Sequence, residues 1–141
     1  MEEEKKPEEA TAEKPKDRIE IRDITPEGAA KAKDVRYTKR FFMDWLDEDD
    51  VKQSGEFTIK RPNIEERARI GTMMAELRED KPPSSIDRNT ALLHEWMAVC
   101  SVCVIQSPPW FNTKMYDSEP MQRAYLEVLA FQQSFLKPVG K

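Results

Sequence analysis

The sequence predicts a mainly α fold: an antiparallel core of three helices, preceded by a short β-ribbon and a disordered charged arm. Three observations carry that expectation. Residues 84–111 (SSIDRNTALLHEWMAVCSVCVIQSPPWF) are the most apolar run, with Leu92, Leu93, Trp96, Val99, Cys100 and Cys103 spaced by three and four. That spacing marks one face of a helix. Segments 63–77 and 117–135 carry the same period. Prolines at 82–83 and 108–109 separate the three segments. Proline cannot donate to a helix ladder, and short connections favour antiparallel neighbours.

The chain has 141 residues, which fits one domain. Hydrophobic residues make up 38% and charged residues 35%. A chain this polar concentrates its core, here in the later two-thirds. Three units follow: an arm over 1–17, a strand and short amphipathic helix over 18–54, and a helical core over 55–138. The net charge of −4 argues against nucleic acid as partner, since phosphate binding needs a basic face. No apolar run approaches the roughly 20 residues that span a bilayer, so no membrane partner is expected. The first 18 residues hold no apolar run of the signal-peptide kind, which predicts a cytoplasmic location.

Residues 1–16 are Glu, Lys, Pro, Ala and Thr, with almost nothing to bury, a composition that stays solvated. RIEIRDI at 18–24 alternates and reads as a strand, which Thr25-Pro26-Glu27-Gly28 breaks. Residues 29–35 suit a weak helix. In 39–46 (KRFFMDWL), Phe42, Trp45 and Leu46 fall at helical spacing and predict a short amphipathic helix. The acidic run 47–50 lacks the ligand spacing of a calcium loop and reads as a solvated turn, with docking of the aromatic-acidic segment onto a partner as the second reading. GEFTIKR at 55–61 alternates Phe57 and Ile59 until Pro62 stops it, and pairs with 18–24 as a ribbon.

Asn63 and Glu66 then form a capping-box pattern ahead of Ile64, Ile70, Met73, Met74 and Leu77. Gly71 costs that helix about 1 kcal/mol against alanine, or admits a close helix crossing. The central helix starts at Ser85 or Asp87 and ends near Ile105 or Gln106. Residues 99–105 are rich in β-branched side chains, so a buried strand is the rival there. Helix is preferred because the period continues without a turn signal. Trp110 and Phe111 then either fold back on the core, the preferred reading, or form a docking surface. Asp117 or Ser118 caps the last helix, with Pro120 in its first turn and Met121, Tyr125, Val128, Leu129 and Phe135 as its stripe. The predicted buried set is Ile70, Met74, Leu77, Leu92, Trp96, Val99, Cys103, Tyr125, Val128 and Leu129.

Motifs for chemistry are scarce. The sequence has no nucleophile elbow, phosphate loop or zinc-protease motif. Cys100 and Cys103 form CSVC, but at the far end of a helix, where the dipole does not favour thiolate. A metal needs about four ligands, and His94 is the lone histidine. The pair reads as small apolar residues on a buried face. His94 and Glu95 are adjacent and point apart on a helix. No enzyme activity, cofactor or metal is therefore expected. The expected partner is a protein, with self-association as a further form. The residues assigned to it are the aromatic and methionine side chains Phe42, Trp45, Met73, Trp110, Phe111 and Met115.

Residues 55–137 also resemble a known family. GEFTIKRPNIEERARIG is a strand leading through a basic-proline step into a capped helix. MMAELRE follows, then a helix ending in PPWF, then a final helix with YLEVLAFQQSF. This order is similar to the tail assembly chaperones of long-tailed bacteriophages. The segment before Gly55 lies outside the resemblance. The resemblance implies a helical, non-enzymatic protein that coats the long helical tape measure protein before the tail tube polymerises. It also implies absence from the finished particle and, for many members, a longer frameshifted form. Met73, Met74, Met97, Met115, Trp110 and Phe111 are the side chains that would cover apolar stripes of such a client. The other readings are a virion structural or adaptor protein, such as a head–tail joining or tail component, and a small cellular interaction module.

Overall fold

The computed structural model describes residues 18–24 and 37–136. The charged arm over 1–17 and the weak helix expected over 29–35 lie outside them. The described elements are β1 (Ile19–Ile24), β2 (Thr38–Leu46), β3 (Lys52–Lys60), α1 (Ile64–Leu77), α2 (Arg88–Cys103), β4 (Val104–Gln106) and α3 (Glu119–Ser134). A short 3-10 turn at Pro83–Ser85 precedes α2.

The strands form one antiparallel sheet in the order β1-β2-β3-β4. The fold is therefore mixed α/β, and the expected mainly α fold with a two-stranded ribbon is corrected. The main source of the difference is 39–46. Phe42, Trp45 and Leu46 do fall at helical spacing, but the residues that are buried are Phe41, Met43 and Trp45, at a period of two. Helix propensity is weak in a segment this rich in aromatics, and alternation fits a sheet with one covered face. β2 lies between β1 and β3, so the strands expected to pair with each other instead each pair with β2.

The core face of the sheet carries Ile19, Phe41, Met43, Trp45, Phe57 and Ile59. Val99, Cys100 and Cys103 of α2 and Met121, Ala124, Tyr125 and Val128 of α3 pack onto it. The opposite face is polar. There Arg22 pairs with Asp44 at 2.9 Å and Arg40 with Glu56 at 2.7 Å. Lys39 stitches β2 to α3 through Glu127 at 3.1 Å and also meets Asp23 at 3.3 Å. Burial alone would lower its pKa, but the two carboxylates outweigh that and raise it.

α1 begins as the sequence predicts. The Asn63 side chain accepts from Glu66 N at 2.8 Å, and Glu66 accepts from Asn63 N at 2.9 Å. The helix lies at the periphery against α2 and has no buried residue. A side chain at Gly71 would meet nothing within 4 Å, so this glycine serves no close crossing. Asp87 caps α2. That helix ends at Cys103, and 104–106 leave it to pair with β3. The expected end near Ile105 or Gln106 is thus corrected: the open edge of β3 takes the last residues as a short strand. Of the predicted buried set, Val99, Cys103, Tyr125 and Val128 are buried. Ile70, Met74, Leu77, Leu92, Trp96 and Leu129 are only half-buried, because the sheet occupies the centre assigned to the helices.

Candidate partner-binding face

Four of the six residues assigned to partner binding meet at one end of the sheet. Trp45 stands at the end of β2. Trp110, Phe111 and Met115 lie in the 107–118 loop between β4 and α3.

The loop is fastened to β3. Pro108 packs so closely on Gly55 that a Cβ there would lie 2.3 Å from Pro108 Cγ. Glycine is therefore required by the approach of the Pro108 ring to the β3 backbone. Two residues on, Trp110 Nε1 donates to Ser54 O at 2.9 Å. The loop then turns through Phe111 N to Pro108 O at 3.0 Å and Met115 N to Asn112 O at 3.2 Å.

These bonds aim the aromatic side chains inward. The Phe111 ring meets Phe57 edge-on at 4.8 Å, and Phe57 stacks on Phe41 at 5.1 Å. Trp110 lies 6.0 Å from both Trp45 and Phe57. Trp110 and Phe111 are half-buried and pack against the core, the preferred of the two readings for this step. Trp45 is 5% exposed, so it serves a partner only by the edge it presents to a cleft. Phe42 lies on the opposite face of the sheet, under the Arg22 guanidinium at 4.8 Å. Met73 is half-buried on α1 and lines none of the clefts around the loop. These two are not brought to the face.

Clefts flank the loop. One, of about 370 Å³, lies between the β2–β3 turn and the loop and is lined by Trp45, Trp110, Met115, Tyr116 and the acidic residues Asp47, Glu48, Asp49 and Asp117. The next, of about 350 Å³, is lined by Leu93, Met97, Met115, Tyr116 and Met121. Tyr116 borders both and is 97% exposed. Sequence reasoning missed Tyr116 as a site residue. It obeys no period, and its signal is the local density of aromatics and methionine in PPWFNTKMYD. The acidic turn, expected to be solvated or to dock with the aromatics before it, borders the first cleft. In the structure Asp47 organises it, accepting from Asp49 N and Val51 N at 2.9 Å and from Gln53 Nε2 at 3.2 Å. The bond from Val51, with those from Gln53 and Asp49, lowers the Asp47 pKa.

The groups with latent chemistry are elsewhere. Burial pushes the Cys100 thiol up to about 12 and Cys103 up to about 11, so both stay protonated at neutral pH. Glu95 accepts a hydrogen bond from the Tyr125 hydroxyl, and burial together with that carboxylate raises the tyrosine pKa. His94 is half-buried on α2, and its Nδ1 has no partner among the described residues. Among those residues no group of three or more His, Cys, Asp or Glu side chains is arranged to hold a metal ion. None of the described helices is long and apolar enough to cross a membrane. No protein-family model matches the chain, and no curated protein and no solved structure matches it.

Proposed function

We propose that this chain is a non-enzymatic binding protein for a helical client, acting in the cytoplasm. The client we propose is the tape measure protein of a long-tailed bacteriophage, bound during tail assembly. The observation that supports this reading is the cleft lined by Leu93, Met97, Met115, Tyr116 and Met121. Methionine side chains are flexible and polarisable, so they adapt to varied apolar surfaces. A helix laid into such a groove buries its apolar stripe there. The resemblance over 55–137 supplies the client. Two of its markers fall on units of the fold: β3 leads through Arg61-Pro62 into the boxed start of α1, and the Pro-Trp step is the loop fastened before α3. The helix expected to run into PPWF instead ends at Cys103, with β4 between.

The reading requires a long helical reading frame downstream of this one, which sequencing of the surrounding DNA checks, and the test is co-expression with its product. The expected result is a complex that co-elutes in size-exclusion chromatography. Leu93→Glu, at a position 38% exposed, is expected to abolish it while leaving the melting temperature unchanged. Absence of a complex would contradict the reading. So would abundant copies of this chain in purified particles, which would make it a virion structural or adaptor protein.

A further inference from the structure

We propose that the outer edge of β1 is an interface for a second copy of this chain, joining two sheets through an antiparallel β1–β1 pair. This goes beyond the client reading, because no β1 residue lines the clefts beside the 107–118 loop. The two edges of the sheet differ. On the far side, β3 is covered by β4 at Thr58 and Ile59 and by the loop at Ser54 and Gly55. β1 has β2 on one side and no strand among the described residues on the other.

Which backbone groups face outward follows from the pairing. Leu46 N donates to Arg18 O at 3.0 Å, and Arg18 opposes Leu46 when the β1–β2 register is continued by one residue. Bonded and non-bonded pairs alternate along an antiparallel ladder. Arg18, Glu20, Arg22 and Ile24 therefore bond β2, and Ile19, Ile21 and Asp23 turn their N–H and C=O groups to the open side. A bare row of such groups is a template for another strand.

Charge along β1 selects its own copy as that strand. With Ile21 opposite Ile21 of the second copy, Glu20 of each chain opposes Arg22 of the other on the polar face, and the pair closes with two-fold symmetry. This register also aligns residues 18–24 over their whole length. A slip of one residue would set the core face of one sheet against the polar face of the other. A slip of two sets Glu20 against Glu20 in one direction and Arg22 against Arg22 in the other, and like charges directly opposed destabilise a strand pair. Both groups are at hand. Glu20 is exposed, and its side chain makes no hydrogen bond or ion pair among the described residues. The Arg22 guanidinium has five N–H donors, and its bond to Asp44 uses Nη1. Ile19 then faces Asp23 of the second copy, whose carboxylate is held by Lys39 at 3.3 Å.

The test is sedimentation velocity of the full chain over a concentration series, with amide hydrogen exchange read at Ile21. The expected result is a monomer–dimer equilibrium in which the Ile21 amide gains protection as the dimer fills. Glu20→Arg opposes arginine to arginine at both crossings, and Arg22→Glu opposes glutamate to glutamate. Each variant alone is expected to dimerise roughly tenfold more weakly or worse. An equimolar mixture of the two is expected to recover dimerisation, because every crossing then joins opposite charges. A merely structural effect of either substitution would not be rescued by mixing. Arg22→Glu also removes the bond to Asp44; should it fail to fold, Glu20→Arg and the Ile21 amide still decide. A chain that stays monomeric up to millimolar concentration overturns the proposal. A dimer untouched by Glu20→Arg does so too, by placing the interface elsewhere. So does Ile21 protection that is independent of concentration, which would give the edge to the chain's own residues. These measurements need no client, so their failure is separate from failure to form the tape measure complex.

Discussion

In β2, Phe41 and Met43 are fully buried and Trp45 is 5% exposed. In α1, a helix of 14 residues, none is buried. β2 has a neighbour on each side and two helices over one face. α1 touches the rest chiefly through α2 and leaves Ile64 79% exposed. An apolar stripe therefore does not set depth; the number of layers laid over it does. The difference bears on the proposed function, because the loop of the candidate partner-binding face is anchored on the sheet side. Ser54 and Gly55 of β3 hold its loop and Trp45 of β2 forms part of its wall. A face built on the well-covered half is preorganised for docking.

The largest effect is expected at the sheet centre. Phe57 is fully buried and touches Phe41, Trp110 and Phe111. Phe57→Ala is expected to cost about 3–5 kcal/mol in urea unfolding. A loss under about 1 kcal/mol would mean that this centre is not tightly packed. Gly55→Ala comes next. The new methyl group would collide with Pro108, and overpacking of this kind costs roughly 1–3 kcal/mol. The Trp110 indole signal should shift with it, since the displaced loop loses its bond to Ser54; an unchanged signal would show that the loop is not fastened there.

On the α1 side the sign reverses. Gly71→Ala meets open space and is expected to stabilise the protein by about 0.5–1 kcal/mol, seen as a higher thermal midpoint. Destabilisation would mean that something packs on this face. The smallest effect is a pH dependence. The Lys60 ammonium, at 2.6 Å, and the Asn63 amide lower the Glu66 pKa below its ordinary 4.5. Just below 4.5 the unfolded chain binds this proton more readily than the folded one. The Glu66 contribution is therefore complete above that value and is lost as pH falls through the folded-state pKa. Glu66→Gln should flatten the acid limb of stability against pH, and an unchanged limb would contradict the pairing.

Much of the architecture was legible where local chemistry decides it. The Asn63 box, the Asp87 cap and the alternation in β1 and β3 need only near neighbours. β2 was not legible because Phe41 and Phe42 are adjacent, so one run offers both a period of two and helical spacing. Only the pairing of β1 and β3 on its flanks selects strand. The end of α2 was obscured in the same way, since the edge of β3 is remote in sequence from Val104. At the candidate site, aromatic density pointed to Trp110, Phe111 and Met115. Tyr116, and the nearness of the acidic turn to it, became visible only when the hairpin and the loop were side by side.

Native-state hydrogen exchange tests the central claim most directly, that the candidate partner-binding face rests on the firm half of the molecule. The account predicts that amides of β2 and the adjoining part of β3 exchange only through global unfolding. Those of α1 should exchange through smaller openings at lower free energy. Equal or greater protection of α1 would contradict it, and the firm half would then be the helical one.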